Sequence, residues 1–414
     1  VVIGGGPSGL MAAGQAASMG EATTVLEKMD RPGIKLSITG KGRCNLTNQS
    51  SIDEFIEHFG SNGKFLYQSF ARFFNDDLIN FFEELGVRLK VERGGRVFPS
   101  DHSAQKISNI LIRWCRESGA EIICNSRVES LIIEGERVRG VEYFSKGFRG
   151  SKRIYADRTI IATGGCSYPE TGSNGDGYRL ASLAGHSIVK IRPALVGINL
   201  EGETHLSLQG LSLRNVVVRM ISDGRKRAEL FGEILFTHFG VSGPVILTMS
   251  KNIGREIDEG RDVVLSIDLK PALDQKRLDR RILRDIENNK NKQFRTLLKG
   301  LLPSKLIPVC IEQVKIPFDR RANNITSKER KRLLSWLKDF RMRPISPRPV
   351  SEAIITSGGV DLKEIDPRTM ESRLIRGLYF SGEVMDIDGD TGGYNLQAAF
   401  STGWLAGRLA CYSK

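Results

Sequence analysis

The chain opens on a β-branched apolar run, Val1-Val2-Ile3, that meets a cluster of glycines and then a stretch of small and apolar residues from Leu10 to Met19. A short buried strand, a tight turn and a helix are the elements this pattern predicts. A second apolar run, Thr23 to Leu26, ends at Glu27. Between Gly33 and about Gly95 the chain makes a long excursion whose aromatic residues, Phe65, Phe70, Phe73, Phe74, Phe81 and Phe82, recur at helical spacing and read as core. A helix over Ala104 to Ser118 and a strand over Glu121 to Cys124 continue the α/β pattern. Val128 to Phe144 and Arg153 to Ile161 then read as antiparallel strands around turns at Gly135 and Gly147, with a return to the main sheet at Ala162.

From Ile191 onward the texture changes to short alternating strands, Val196 to Leu200, Asn215 to Ile221, Glu229 to Thr237 and Asp262 to Ile267, which predict a barrel-like insertion bounded by Pro271. Asp274 to Leu302 and Ser327 to Phe340 read as basic amphipathic helices, punctuated by Pro303, Pro308 and Pro317. The expected division is a dinucleotide-binding α/β domain in two pieces, 1–190 and 356–414, a barrel-like insertion at 191–271 and 341–355, and a helical subdomain at 272–340.

Of the 414 residues, 40% are hydrophobic and 26% charged, enough apolar side chain for a large core and too little charge for disorder. No apolar run approaches the ~18 residues of a membrane span, so the expectation is a cytoplasmic protein with no membrane partner. Six cysteines and five histidines stand apart, without a C-x-x-C or H-E-x-x-H pair, and no metal is expected. The net charge of +13 is localised: residues 272–349 hold 21 Lys and Arg against 8 Asp and Glu, and the remainder balances. A basic surface of that kind attracts phosphate, although a solvated helical face would look the same.

The opening turn reads Gly4-x-Gly6-Pro7-Ser8-Gly9. Gly4 permits the turn, Gly6 lets a pyrophosphate approach the backbone, and Gly9 lets the helix pack on the strand, whose first N–H groups then face the phosphates. Glu27, at the end of the second strand, stands where an acidic residue takes the ribose hydroxyls. FAD and NAD share this fingerprint. Two further strand-turn segments favour FAD: Arg158 to Gly165, with Thr163 and Gly164 in the turn, which resembles the second signature of two-dinucleotide-fold flavoproteins, and Gly377 to Gly382-Glu383 followed by Asp390-Thr391-Gly392-Gly393-Tyr394-Asn395 and a helix. The N-terminus of that last helix would face the electron-rich edge of a flavin.

Three stretches then carry a family resemblance: Ile38 to Asn48 with Gly40-Lys41-Gly42-Arg43-Cys44-Asn45, Phe236-Thr237-His238-Phe239-Gly240-Val241-Ser242-Gly243-Pro244, and Ser381-Gly382-Glu383 through Thr391 to Asn395. They resemble the HI0933-like (BaiN/RdsA-type) FAD-dependent oxidoreductases over the full length. The resemblance implies a Rossmann-like FAD domain of the two-dinucleotide-binding type, interrupted by a β-barrel that itself carries a small helical domain. It also implies reduction of conjugated C=C bonds, in a uridine of 23S ribosomal RNA or in dehydro bile acids, or amine oxidation. Lys41 and Asp390 stand where relatives often carry glycine and an aromatic or other residue. The expected cofactor-binding set is Gly4, Gly6, Pro7, Ser8, Gly9, Glu27, Lys28, Lys35, Leu36, Arg43, Cys44, Asn45, Thr163, Gly164, Gly382, Glu383, Gly392, Gly393, Tyr394 and Asn395.

Only one complete G-x-G-x-x-G occurs, so NAD(P)H, as hydride donor, would bind transiently without a domain of its own. Reduction of an enone-like bond also needs an acid. Cys44 is one candidate, with Arg43 and a glycine-rich turn to tune its thiol, and His238 is the other; each also reads as an ordinary structural side chain. Arg280, Arg281, Arg284, Arg330, Lys331 and Arg332 on the two basic helices are the candidate RNA contacts. The leading expectation is an FAD-dependent reductase forming dihydrouridine in ribosomal RNA. A small-molecule enone reductase or amine oxidase, and a flavin-containing RNA-binding protein without turnover, are the alternatives.

Overall fold

The computed structural model describes residues 1–147 and 150–411, in two compact units, 1–194 with 350–411 and 195–349. In the first unit five short strands form a parallel sheet in the order Leu378–Phe380, Thr159–Ile161, Val2–Ile3, Thr24–Leu26, Glu121–Ile123. Val2 lies opposite both Val25 and Ile160, so the opening strand is central and its apolar side chains are buried on both faces.

Small residues set how closely the helices approach. The helix Pro7–Ser18 crosses the C-terminal helix Tyr394–Leu409, where a side chain at Gly403 or Gly407 would stand 2.3 Å from the carbonyl oxygens of Ser8 and Ala12 respectively. Gly14 likewise makes room for the Trp114 indole of the helix Ala104–Glu117. The phenylalanines of the 33–95 excursion pack mainly edge-on or tilted among themselves and against the C-terminal helix, with Phe70 and Phe82 fully buried as their spacing predicted, and Phe55 buried beside them.

Arg153 to Ile161 is not one strand. Lys152–Tyr155 closes the antiparallel sheet of Ser126–Glu134 and Arg137–Ser145, and Thr159–Ile161 already belongs to the parallel sheet. Alternation cannot reveal that switch, because residues on both sides of the break are β-formers.

The second unit is a seven-stranded antiparallel sheet, in the order Phe340–Met342, Val263–Asp268, Ser212–Ser222, Arg225–Phe236, Gly240–Ser242, Ile198–Leu200, Pro344–Pro347. Its two outermost strands are joined through the single residue Arg343, so the sheet must curl until its edges meet. The helix Pro244–Asp258, missed from sequence, begins with proline at its first position, where the missing N–H costs nothing.

Pro308 does not punctuate the chain. It sits in the first turn of a helix, Leu306–Val314, where proline is tolerated. The expected long helix over Asp274 to Leu302 is two, Gln275–Asn288 and Phe294–Leu298, broken at a run of Asn and Lys. The expected three-part division also differs from what is observed. Leu278, Ile282, Leu298, Leu333 and Leu337 of the helices share one buried cluster with Val218, Leu265 and Ile267 of the sheet, so helices and sheet form a single unit. The strand pair Ile188–Ala194 and Ile355–Val360 moves the boundaries to 194/195 and 349/350.

Candidate functional site

Three glycine-built turns follow adjacent parallel strands of the first unit. At Gly4, φ is +102°, a conformation L side chains rarely adopt, and a Cβ there would stand 2.7 Å from the Ala162 carbonyl oxygen. A Cβ at Gly9 would stand 2.0 Å from the Gly4 carbonyl oxygen. Gly6 is different: nothing lies within 4 Å of where its Cβ would be. The helix begins there with Pro7 at its first position and no side chain capping its N–H groups, and the buried Ser8 hydroxyl has no hydrogen-bond partner among the described residues. Uncapped donors, an orphaned hydroxyl and an open approach at Gly6 suit a pyrophosphate.

Glu27 is buried at the end of the second strand. Its carboxylate accepts hydrogen bonds from Gly5 N at 2.7 Å and Met29 N at 2.8 Å, and burial outweighs these bonds in raising its pKa above the ordinary carboxylate range. It thereby holds the glycine turn and, as an acceptor with lone pairs to spare, can still take ribose hydroxyls. Lys28 pairs with Asp176 at 2.7 Å.

Gly382, at φ +74°, places the third turn directly on the first: a Cβ there would stand 2.9 Å from Ser8 Cβ, and its N–H donates to Thr402 Oγ1 at 3.0 Å. Glu383 accepts from Thr356 N at 2.7 Å and from Lys35 Nζ at 2.9 Å, and Lys35 also donates to Ser167 Oγ at 2.6 Å. Lys35 and Glu383, 348 residues apart, are thus one ion pair. Leu36 is 1% exposed and packs in the core. Gly164, at φ +70°, turns the chain after Thr163, whose hydroxyl closely faces Gly177.

The 39–48 and 391–395 segments also meet. A Cβ at Gly393, whose φ is +102°, would stand 2.5 Å from the Thr47 carbonyl, and Asn48 Nδ2 donates to the Gly392 carbonyl at 3.3 Å. Asn395 braces the preceding loop through Gly389 N and O, both at 2.8 Å. Tyr394 packs edge-on against Phe55. Asn45 Oδ1, in the 39–48 segment, is buried without a partner among the described residues.

Arg43 does not tune Cys44. Its guanidinium lies on Glu92 at 2.7 Å and His102 at 3.1 Å and over the Phe98 ring. The Cys44 thiol is fully enclosed, and burial pushes its pKa far above the ordinary thiol value. The glycine turn expected before Cys44 is present, but the cation is turned away and the thiol is enclosed, so Cys44 packs as a small core residue. Cys44→Ala should accordingly keep turnover within about twofold and lower stability by roughly 1 kcal/mol, read from steady-state kinetics and a urea titration. His238 lies in the second unit, exposed in the turn after Arg225–Phe236 and edge-on to Phe239.

Sequence reasoning missed Asn48, Ser167, Thr356 and Thr402, which brace the turns. Asn48 lay inside a recognised motif; the others carried no local signal, because only the pairing of distant segments gives them a role. Among the described residues no cluster of His, Cys, Asp and Glu could hold a metal ion, and no helix is long and apolar enough to cross a membrane.

A parallel sheet whose C-terminal strand ends carry these three turns defines a Rossmann-type FAD-binding protein. Residues 1–409 match the family model described as HI0933-like protein Rossmann domain, and the chain belongs to that family of FAD-dependent oxidoreductases. It is 32% identical to a 3-dehydro-bile acid delta(4,6)-reductase of Clostridium scindens, over 99% of this chain and 98% of that protein. It is 31% identical to a ribosomal RNA dihydrouridine synthase of Haemophilus influenzae, over 98% and 96%. A flavocytochrome c3 fumarate reductase shares the fold, with a TM-score of 0.51 and 20% identity over 99% of this chain and 77% of that one. So does a 3-ketosteroid delta1-dehydrogenase of Sterolibacterium denitrificans, with a TM-score of 0.51 and 14% identity over 100% and 99%.

Proposed function

We propose that this chain is a reductase that adds hydrogen across a conjugated C=C bond, with NAD(P)H as transient donor and a uridine of 23S ribosomal RNA as substrate. The names of both full-length relatives denote this chemistry, since dihydrouridine is uridine with two hydrogens added across C5=C6 and a delta(4,6)-reductase saturates alkene bonds. Bound FAD would supply the hydride transfer. The protein's part is to hold it: Gly4, Gly6 and Ser8 at the pyrophosphate, Glu27 at the ribose, and the Gly392-Gly393 turn with the following helix N-terminus at the flavin's electron-rich edge.

The choice of RNA over a small molecule rests on one observation, the confinement of the whole +13 charge to residues 272–349. The structure sorts the six expected contacts. Arg281 pairs with Asp285 at 2.8 Å, Arg330 with Asp279 on the neighbouring helix at 3.1 Å, and Arg332 donates to the Val314 and Lys315 carbonyls. Arg330 and Arg332 tie their helix to its neighbours, and Arg281 spans one turn of its own helix. Arg280, Arg284 and Lys331 are exposed, and no hydrogen bond or ion pair occupies their head groups among the described residues.

Charge reversal at Arg280, Arg284 and Lys331 together should weaken RNA binding and flatten its salt dependence. At about 0.7 per phosphate contact on a single strand, three lost contacts reduce the log–log slope by roughly 2. Flavin content should not change. The target uridine must be unstacked for C6 to be reached, so protein-free ribosomal RNA should be a better substrate than the mature subunit. Filter binding across a salt series and a dihydrouridine assay test both statements. Salt-independent or absent RNA binding, with full turnover of a small enone or amine, would transfer the assignment to a small-molecule flavoenzyme.

A further inference from the structure

One imidazole in the first unit is held as a proton donor would be, and it is neither of the acids the sequence nominated, Cys44 and His238. His58 follows the short helix Ile52–Glu57, and its Nδ1 lies 2.9 Å from Asp390 Oδ2. The ring stacks on Tyr394 with centroids 3.9 Å apart and planes 24° apart. Asp390 N donates to the His58 carbonyl at 3.1 Å, so backbone and side chain are tied to the same loop. That loop is itself braced, by Asn395 on Gly389 and Asp390 and by Asn48 on Gly392. The ring is therefore fixed on one face and at one nitrogen. Its other nitrogen, Nε2, has no hydrogen-bond or ion-pair partner among the described residues, and the side chain is 37% exposed.

We propose that His58 is the acid of the C=C reduction and that Asp390 orients it. This rests on the function proposed above and names the group that supplies its proton. A carboxylate on Nδ1 fixes the ring orientation and leaves Nε2 as the outward-facing nitrogen. The pair belongs to the turn assigned to the flavin's edge: Asp390 immediately precedes Thr391-Gly392-Gly393, and Tyr394, under the ring, is the first residue of the C-terminal helix. Cys44 is enclosed, and His238 has no carboxylate partner among the described residues. The other charged or titratable groups acting at His58 are Glu54, one turn earlier on its helix, and the Tyr394 phenol.

Hydride, with its electron pair, bonds to the β-carbon; the π pair moves to the α-carbon and takes the proton from Nε2. Bound dihydroflavin would be the reductant of the alkene, and the neutral imidazole of His58 would regain its proton from water.

Anaerobic stopped-flow on the holoprotein separates this from a role as a loop staple. In His58→Asn, FAD affinity, read by quenching on titration into apoprotein, and reduction by NADPH should stay within about twofold of wild type. Reoxidation by protein-free ribosomal RNA should slow ~100-fold. Asp390→Asn should slow it about 10-fold or more, and long-range proton–nitrogen NMR should show His58 losing its preference for a proton on Nδ1. Unchanged reoxidation in His58→Asn overturns the proposal, as does a loss of FAD affinity that matches the loss of rate. If wild-type protein reduces 2-cyclohexenone and not RNA, the substrate reading fails separately, and the same variants on the enone decide the role of His58.

Discussion

Gly6→Val should give folded, colourless protein. In the chain itself nothing lies within 4 Å of the new Cβ, and φ at Gly6 is −79°, which any residue adopts, so the substitution meets neither overlap nor strain. The added methyls instead fill the space a pyrophosphate needs beside the uncapped helix N-terminus. FAD affinity should fall at least ~100-fold, or about 2.7 kcal/mol, with the urea midpoint of the apoprotein unchanged. Gly9→Val is the contrasting variant: its Cβ would stand 2.0 Å from the Gly4 carbonyl oxygen, so it should damage folding as well as flavin binding. Flavin released by denaturing wild type should be FAD; release of FMN would defeat the dinucleotide assignment.

Gly393→Val should be the most destabilising change at the far end of the site. The residue combines φ of +102° with a Cβ position 2.5 Å from the Thr47 carbonyl. Backbone strain and overlap together cost roughly 2–6 kcal/mol. The turn must swing away from Thr47, carrying the N-terminus of Tyr394–Leu409 with it. Lower urea midpoints for both apoprotein and FAD-loaded protein, with a larger drop for the loaded form, would show that turn position and flavin binding are coupled. Equal midpoints for wild type and variant would refute the account.

The elements legible in the chain were those with a strong local cause. Val1-Val2-Ile3 followed by Gly4-x-Gly6-x-x-Gly9 can satisfy its backbone in few ways other than strand, turn and helix. The elements misread were those where local and global preference diverge. The strand break between Tyr155 and Thr159 and the helix through Pro308 both depend on what packs against the segment. Arg43 shows the same limit at the site: adjacency to Cys44 in sequence made it a tuning cation, but its head group is drawn to Glu92 and His102.

By itself the sequence determined the Rossmann-type FAD domain, the placing of an antiparallel insertion within it, and the residence of all the net charge in 272–349. Each follows from short-range pattern or composition, which need no knowledge of distant partners. Tertiary structure alone decided which of those residues act together. It paired Lys35 with Glu383 and His58 with Asp390, set Gly382 against Ser8, and engaged Arg330 and Arg332 with neighbouring helices while leaving Arg280, Arg284 and Lys331 to solvent. The first three groupings join segments more than 300 residues apart, and the energy that selects them is shared across the packed core rather than written at any one position.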